Sequence, residues 1–266
     1  MQWEDLTAPD FAAAVKKAQG VCVLPLACIE KHGDHLPLGT DLFLGMEIAR
    51  RAAGMESAVV FPPFYLTQIL EARHQPGTIA VGGLVMLQLL EAVCDEIGRN
   101  GLRKIILLVT HGGNRFLAPF FVQLGLEKRK EYMVYLSQSY WDPGFRELKE
   151  ELLESEFSSH AGEMETSMVL AARPELVRMD KIDQHSGQPQ KRGRHLTGLM
   201  PTQETPICWY ADYPDHYAGD ARPATADKGE RMLQFLAERL VEVIRSVKKD
   251  TTTQKLYEEF FSRTEH

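Results

Sequence analysis

Apolar positions along the chain fall into short continuous runs that alternate with helical stripes. Val21 to Leu26 is apolar at nearly every position, as expected of a strand covered by helices on both sides of a parallel sheet. Ser57 to Phe64 reads as a second strand, broken by Pro62 and Pro63, which end regular pairing there. Leu84 to Arg99 places Leu84, Leu87, Leu90, Val93 and Ile97 at helical spacing, and Asn100-Gly101 is a stop signal. Lys104 to Thr110 predicts a strand, Asn114 to Lys130 a helix, Met133 to Ser137 a strand and Gly162 to Ala172 a helix. Ala226 to Lys248 predicts a long amphipathic helix with Met232, Leu233, Leu236, Leu240 and Val243 on one face. This alternation specifies an α/β fold with a largely parallel sheet flanked by helices.

A chain of 266 residues fits one large α/β core, and the simplest reading is a single domain spanning 1–266. Between about 180 and 223 the composition turns to Gly, Pro, His, Gln and Arg without periodicity, an irregular excursion of the kind that covers sites. From about 250 a polar tail carries Leu256, Tyr257, Phe260 and Phe261, which could dock on the body or on another subunit. There is no internal repeat. A hydrophobic fraction of 44% with 25% charged residues excludes disorder and fibrous repeats. The net charge of −7, with no Lys/Arg cluster, argues against nucleic acid as a partner. Met1 to Asp5 lacks the pattern of a signal peptide, and no apolar run approaches the roughly 20 residues that span a bilayer. The expectation is a cytoplasmic protein with no membrane contact. Cys22, Cys28, Cys94 and Cys208 form no Cys-x-x-Cys pair, so reduced structural thiols are expected; Cys28 could line a site or be a small buried filler.

Chemistry concentrates in three clusters. Glu30-Lys31-His32-Gly33-Asp34-His35 through Asp41 begins just past the C-terminal end of the first strand, the edge where open parallel sheets bind ligands. Its carboxylates and imidazoles suit zinc, manganese or iron, and a structural zinc knot of thiolates is disfavoured. His111-Gly112-Gly113-Asn114 follows another strand, which delivers a second histidine to the same edge; the plainer reading, a strand-to-helix turn with Asn114 as N-cap, can hold at the same time. The third cluster, His160-Ala161-Gly162-Glu163-Met164-Glu165-Thr166-Ser167, opens a helix. At about 100° per residue Glu163 and Glu165 point about 200° apart, so only one easily faces a site. Glu163 can simply complement the helix N-terminus, which makes Glu165 the better functional candidate. Ser167 and the cysteines lie in no nucleophile motif.

Together these clusters resemble the creatininase family, with its Glu-x-His-Gly-x-His-Leu-Pro-x-Gly-Thr-Asp, His-Gly-Gly-Asn and His-Ala-Gly-x-x-Glu-Thr-Ser segments. Weaker resemblance runs through Pro76-Gly77-Thr78-Ile79, Tyr140-Trp141 and Gly219 to Gly229. The resemblance implies a three-layer α/β/α sandwich and a site of two divalent metal ions, zinc foremost, with manganese or iron as alternatives. By position, Glu30, Asp41 and His111 would hold one metal, and His32 with the shared Asp41 the other, completed by Glu165. By the same resemblance His160 falls at a proton-transfer position, Glu165 would act beside it in catalysis, and Trp141, Gly112 and Gly113 would border the substrate. A carboxylate bridging two cations lets them share a water, whose pKa falls toward about 7. The implied reaction is hydrolysis of a C–N bond in a small cyclic amide or related amide. The resemblance also implies a homo-oligomer, commonly a hexamer.

The creatinine-hydrolysing branch resembles His-Tyr-Glu-Asn where this chain has His111-Gly112-Gly113-Asn114. A metal-binding carboxylate is therefore missing, which counts against creatinine itself. Lys31 and Asp34 replace the commoner Gln and Pro. The family also covers formamide hydrolysis, peptide trimming and opening of a keto-sugar ring. Substrate choice is expected in the 180–223 stretch, where Arg192, Arg194, His195, Trp209 and Tyr210 have no assigned role. A reading from a different class is a non-catalytic metal-binding protein; His160 with Glu165 argues against it, since a binder needs no proton-transfer groups.

Overall fold

The computed structural model describes residues 1–182, 187–193 and 205–264. Among them, Val21–Leu26 (β1), Val59–Val60 (β2), Lys104–Val109 (β3) and Met133–Ser137 (β4) form a parallel sheet in the order β2-β1-β3-β4. Helices Ala8–Lys17 (α1), Thr40–Met55 (α2), Gly83–Arg99 (α3), Asn114–Leu124 (α4), Pro143–Leu152 (α5), Glu163–Ala172 (α6), Cys208–Asp212 (α7), Ala226–Lys249 (α8) and Thr252–Thr264 (α9) surround it. A short antiparallel pair, Ser158–His160 (β5) with Ala218–Gly219 (β6), stands apart from the main sheet.

The period-two alternation of strand side chains decides the layering. Val21, Val23, Ile106 and Leu108 face Leu44 and Ile48 of α2, Met168 of α6, and Met232, Leu233 and Leu236 of α8. Cys22, Leu24, Ile105, Leu107 and Val109 face Met86, Leu90 and Ile97 of α3 and Phe121 of α4 on the other side. Both faces of β1 and β3 are thus buried, which explains their unbroken apolar runs. The expected α/β/α sandwich is the fold observed. Truncating one of these fully buried leucines or isoleucines to Ala would cost about 2–5 kcal/mol.

Several elements depart from their predicted bounds. The second strand pairs with β1 only over Val59 and Val60 and returns as a single bridge between Leu26 and Phe64, because Pro62 and Pro63 intervene. Helix α4 ends at Leu124, with Gly125 as its cap, so Gly125 to Lys130 are turns and loop and not the predicted last turns. Asn114 is the first residue of α4 and makes no capping bond. The tail is not merely polar chain: α9 buries Phe261 and ties Tyr257 Oη to Gly125 O at 2.9 Å, leaving Leu256 and Phe260 exposed. No helix among the described residues is long and apolar enough to cross a membrane.

Candidate metal centre

Strands β1 and β3 pair directly and in parallel, so the loop after β1 and the turn after β3 leave the sheet side by side. The first carries Glu30 and His32, the second His111. Helix α2 begins at the end of the β1 loop and puts Asp41 in its first turn. Strand β5 ends at His160, and α6 brings Glu165 in its own first turn. All but His160 are buried, and His160 is nearly so.

Glu30 Oε1 lies 2.8 Å from His111 Nδ1 and 3.1 Å from Cys28 Sγ. Asp41 Oδ2 lies 3.0 Å from the same His111 nitrogen and 3.2 Å from the same sulfur. The other oxygen, Asp41 Oδ1, is 3.4 Å from His32 Nε2, and Glu165 Oε2 is 3.9 Å from it. Asp41 therefore presents one oxygen to each of two donor groups. Among the described residues, Cys28, Glu30, Asp41 and His111 form one cluster with metal-ligating spacing, His32, His160 and Glu165 another, and Glu30, His160 and His216 a third.

The residues fit a cation on two counts. Carboxylate with imidazole is a donor set for zinc or manganese. The buried Nε2 of His32, which points at the Asp41 and Glu165 carboxylates, has no hydrogen-bond partner, a cost that folding tolerates where a ligand meets the group. Backbone strain is spent here as well: Ala161 adopts φ 55° and donates its N–H to Glu165 Oε2 at 2.6 Å, fixing that carboxylate.

The charges of the cluster are buried and pair with one another. Burial pushes the Glu30 carboxyl up, but the charge of His111 with hydrogen bonds from His111 and His216 outweighs it and holds it well below the usual range. Asp41 is likewise held low against burial by His32 and His111. Burial pulls the His32 imidazole down, yet Asp41, Glu30 and Glu165 raise it to about 9. His111 is raised well above its ordinary value: burial opposes, and Glu30 and Asp41 prevail. Burial carries Glu165 up to about 7, helped by Asp41 and opposed by His32. His160 goes the other way, lowered to about 3 by burial and then by His32. It is therefore neutral, and its Nε2–H donates to Lys31 O at 2.9 Å, so Nδ1 keeps the lone pair.

Other residues of the clusters are directed elsewhere. His35 Nε2 bridges Ala161 O and Thr166 Oγ1, each at 3.0 Å, and clamps the β1 loop to α6. Gly33 turns that loop at φ 61°, where an added Cβ would strike His35. Asp34 pairs with Lys31 at 3.0 Å at the surface. Glu163 accepts backbone N–H groups of Glu154 and Ser155 and a 2.6 Å ion pair from Lys228, away from the cluster that Glu165 joins. Trp141 lies in a 3-10 turn after β4, with the Arg115 guanidinium 5.2 Å from its ring centre. Gly112 is exposed. A Cβ on Gly113 would come within 2.6 Å of His111 Nε2 and 2.8 Å of Gln68 Nε2, so a larger residue there would have to displace His111 or Gln68.

Sequence reasoning missed three features. His216 Nε2 lies 2.6 Å from Glu30 Oε2, though it stands in the aperiodic 180–223 stretch with no motif around it. The Tyr140 hydroxyl is buried without a hydrogen-bond partner and feels the charges of Asp41 and Glu165; the Tyr140-Trp141 pair was its only signal. Both amide atoms of buried Asn114 are also unpartnered. In the irregular stretch, Arg192 braces the chain by donating to Ala211 O and Tyr210 O, and Tyr210 packs edge-on against His74. Arg194 and His195 lie outside the described residues.

A carboxylate and imidazole cluster on the C-terminal edge of a parallel sheet is the donor arrangement of a metal-dependent hydrolase. The creatininase family model, described as creatinine amidohydrolase, matches residues 4–244. The creatinine amidohydrolase of Pseudomonas putida is 25% identical over 256 residues, which cover 91% of this chain and 95% of that enzyme. The 3-dehydro-scyllo-inosose hydrolase of Thermotoga maritima is 24% identical, with 88% and 79% covered. A solved creatininase variant of Zn-Zn type shares the fold with a TM-score of 0.78 at 23% identity, covering 94% of this chain and 98% of that one. The chain belongs to the creatininase family.

Proposed function

We propose that this protein hydrolyses a C–N bond in a small cyclic amide or related amide at a centre of two divalent metal ions, zinc foremost. The observation that carries the reading is the division of Asp41 between His111 and His32, with Glu30 on the first side and Glu165 on the second. Glu30, Asp41 and His111 would hold one metal, and His32, Asp41 and Glu165 the other. Such ions supply Lewis acidity and a nucleophile derived from water at neutral pH.

The chain's own groups do the rest. Neutral His160 offers Nδ1 as a proton acceptor while its Nε2–H anchors on Lys31 O, so the ring is oriented before substrate arrives. A proton taken there can be delivered to the departing nitrogen, the general acid step. The Ala161 N–H holds Glu165 in place. Trp141, Gly112 and Gly113 are assigned to the substrate side, where Gly112 is exposed. The absence of a carboxylate between His111 and Asn114 supports an amide other than creatinine.

Exposed Leu84, Phe120, Leu126, Leu256 and Phe260 line an apolar groove of about 850 Å³ between α3, α4 and α9. This surface supports a homo-oligomer, since an exposed apolar groove is one place where subunits meet. A cytoplasmic, small-molecule enzyme with no nucleic-acid or membrane partner completes the reading. The test is a hydrolysis screen of zinc- or manganese-loaded protein against lactams, formamides, short peptides and sugar lactones. Turnover of an amide that a chelator abolishes is expected. Turnover unaffected by complete metal removal would overturn the reading.

A further inference from the structure

We propose that Trp209 and His216 form a hydrogen-bond chain that fixes the His216 tautomer and holds Glu30 in the orientation needed to bind metal. This inference rests on Glu30 being a metal ligand, as argued above. Trp209 Nε1 lies 3.0 Å from His216 Nδ1, and His216 Nε2 lies 2.6 Å from Glu30 Oε2. An indole N–H can only donate, so His216 Nδ1 must accept. A neutral imidazole that accepts at Nδ1 carries its proton on Nε2, and that N–H donates to the Glu30 carboxylate. One Glu30 oxygen is thereby committed to His216, and Oε1 is left facing His111 and Cys28.

The ring has little freedom to do otherwise. His216 is buried, its backbone sits at φ 54°, and its carbonyl accepts from Gly33 N at 3.0 Å. The His160 ring packs edge-on against it at 4.5 Å. Spacing alone places His216 in a donor cluster with Glu30 and His160, yet the indole argues against ligation. To bind a cation through Nε2, His216 would need its proton on Nδ1, where it would face the Trp209 N–H, donor against donor at 3.0 Å. His216 is a positioning residue, and Trp209 acts through it. Carboxylate ligands are commonly held by such outer hydrogen bonds, and their loss costs about 10–100-fold in metal affinity.

The experiment has two arms on the full chain. In metal-free protein labelled with ¹⁵N-histidine, the His216 signals should show a protonated Nε2 and an accepting Nδ1, and Trp209→Phe should shift the Nδ1 resonance. A His216 protonated on Nδ1 would overturn the proposal. In zinc titrations against a chromophoric chelator, His216→Leu should weaken binding by about 10–100-fold. His216→Gln, whose amide can donate to Glu30 and accept from Trp209, should restore most of it. Wild-type affinity in His216→Leu, or loss of one zinc in both variants, would refute a positioning role. If the wild-type protein takes up no zinc, the metal reading itself fails, and the tautomer arm still decides the hydrogen-bond chain.

Discussion

Replacing Asp41 by Asn removes one negative charge while keeping the side chain's shape. The contacts set the size of the effect. Asp41 reaches His111 Nδ1 at 3.0 Å with one oxygen and His32 Nε2 at 3.4 Å with the other, with almost no solvent access. Removing one partner of a buried, paired charge costs about 3–5 kcal/mol. At about 1.4 kcal/mol per tenfold, that is roughly two to three and a half powers of ten in a binding constant. Because one carboxylate serves both donor groups, both metals should weaken together. The assay is a zinc titration of chelator-stripped protein against a competing chromophore, with metal content checked by elemental analysis. Asp41→Asn should show both affinities reduced by at least about a hundredfold. Two zinc ions bound to Asp41→Asn with wild-type affinity would refute the bridging role, and loss of only one would place Asp41 on a single metal.

His160→Ala should keep its metal and lose activity by about 10²–10⁴-fold on a verified amide substrate; a lost zinc would make His160 a ligand, and full activity would remove it from proton transfer. Zinc affinity should rise with pH, because the metal and the proton compete for the same imidazole lone pairs. With His32 raised to about 9 and His111 raised well above its ordinary value in the metal-free protein, binding below that range must release protons. Calorimetry in buffers of different ionisation heat checks this, and binding with no proton release at pH 7 would contradict the charge assignment. Light scattering should give a multiple of the 30.1 kDa chain mass, and Leu256→Asp with Phe260→Asp should reduce it; a wild-type monomer at micromolar concentration would contradict the oligomer.

The parts legible in sequence are those whose pattern is set by burial on a regular element. β1 and β3 are buried on both faces, so their apolar runs stand out, and Ala226–Lys249 carries enough turns for its stripe to show. Helix α2 was hidden because its first turn is spent on Thr40 and Asp41, which read as the end of a motif and not the start of a helix. α9 reads as a tail in the sequence because only Phe261 is buried along its length. Helix geometry implies that only one of Glu163 and Glu165, about 200° apart, faces the cluster, and which one is decided by packing that the sequence does not show, with Glu165 at the cluster and Glu163 turned to Lys228. His216 and Tyr140 were not readable, because their places at the cluster come from tertiary packing: β6 pairing with β5 for one, and the turn after β4 for the other. Asp34 and His35 sat within the strongest motif yet serve the surface and the α6 clamp, which shows that motif membership does not fix a side chain's direction.

The most direct test of the account is anomalous diffraction at the zinc edge from crystals of the zinc-loaded protein. Two peaks per chain are expected, one among Glu30, Asp41 and His111 and the other among His32, Asp41 and Glu165. No peak at this cluster, or a peak only at some other part of the chain, would contradict the central claim.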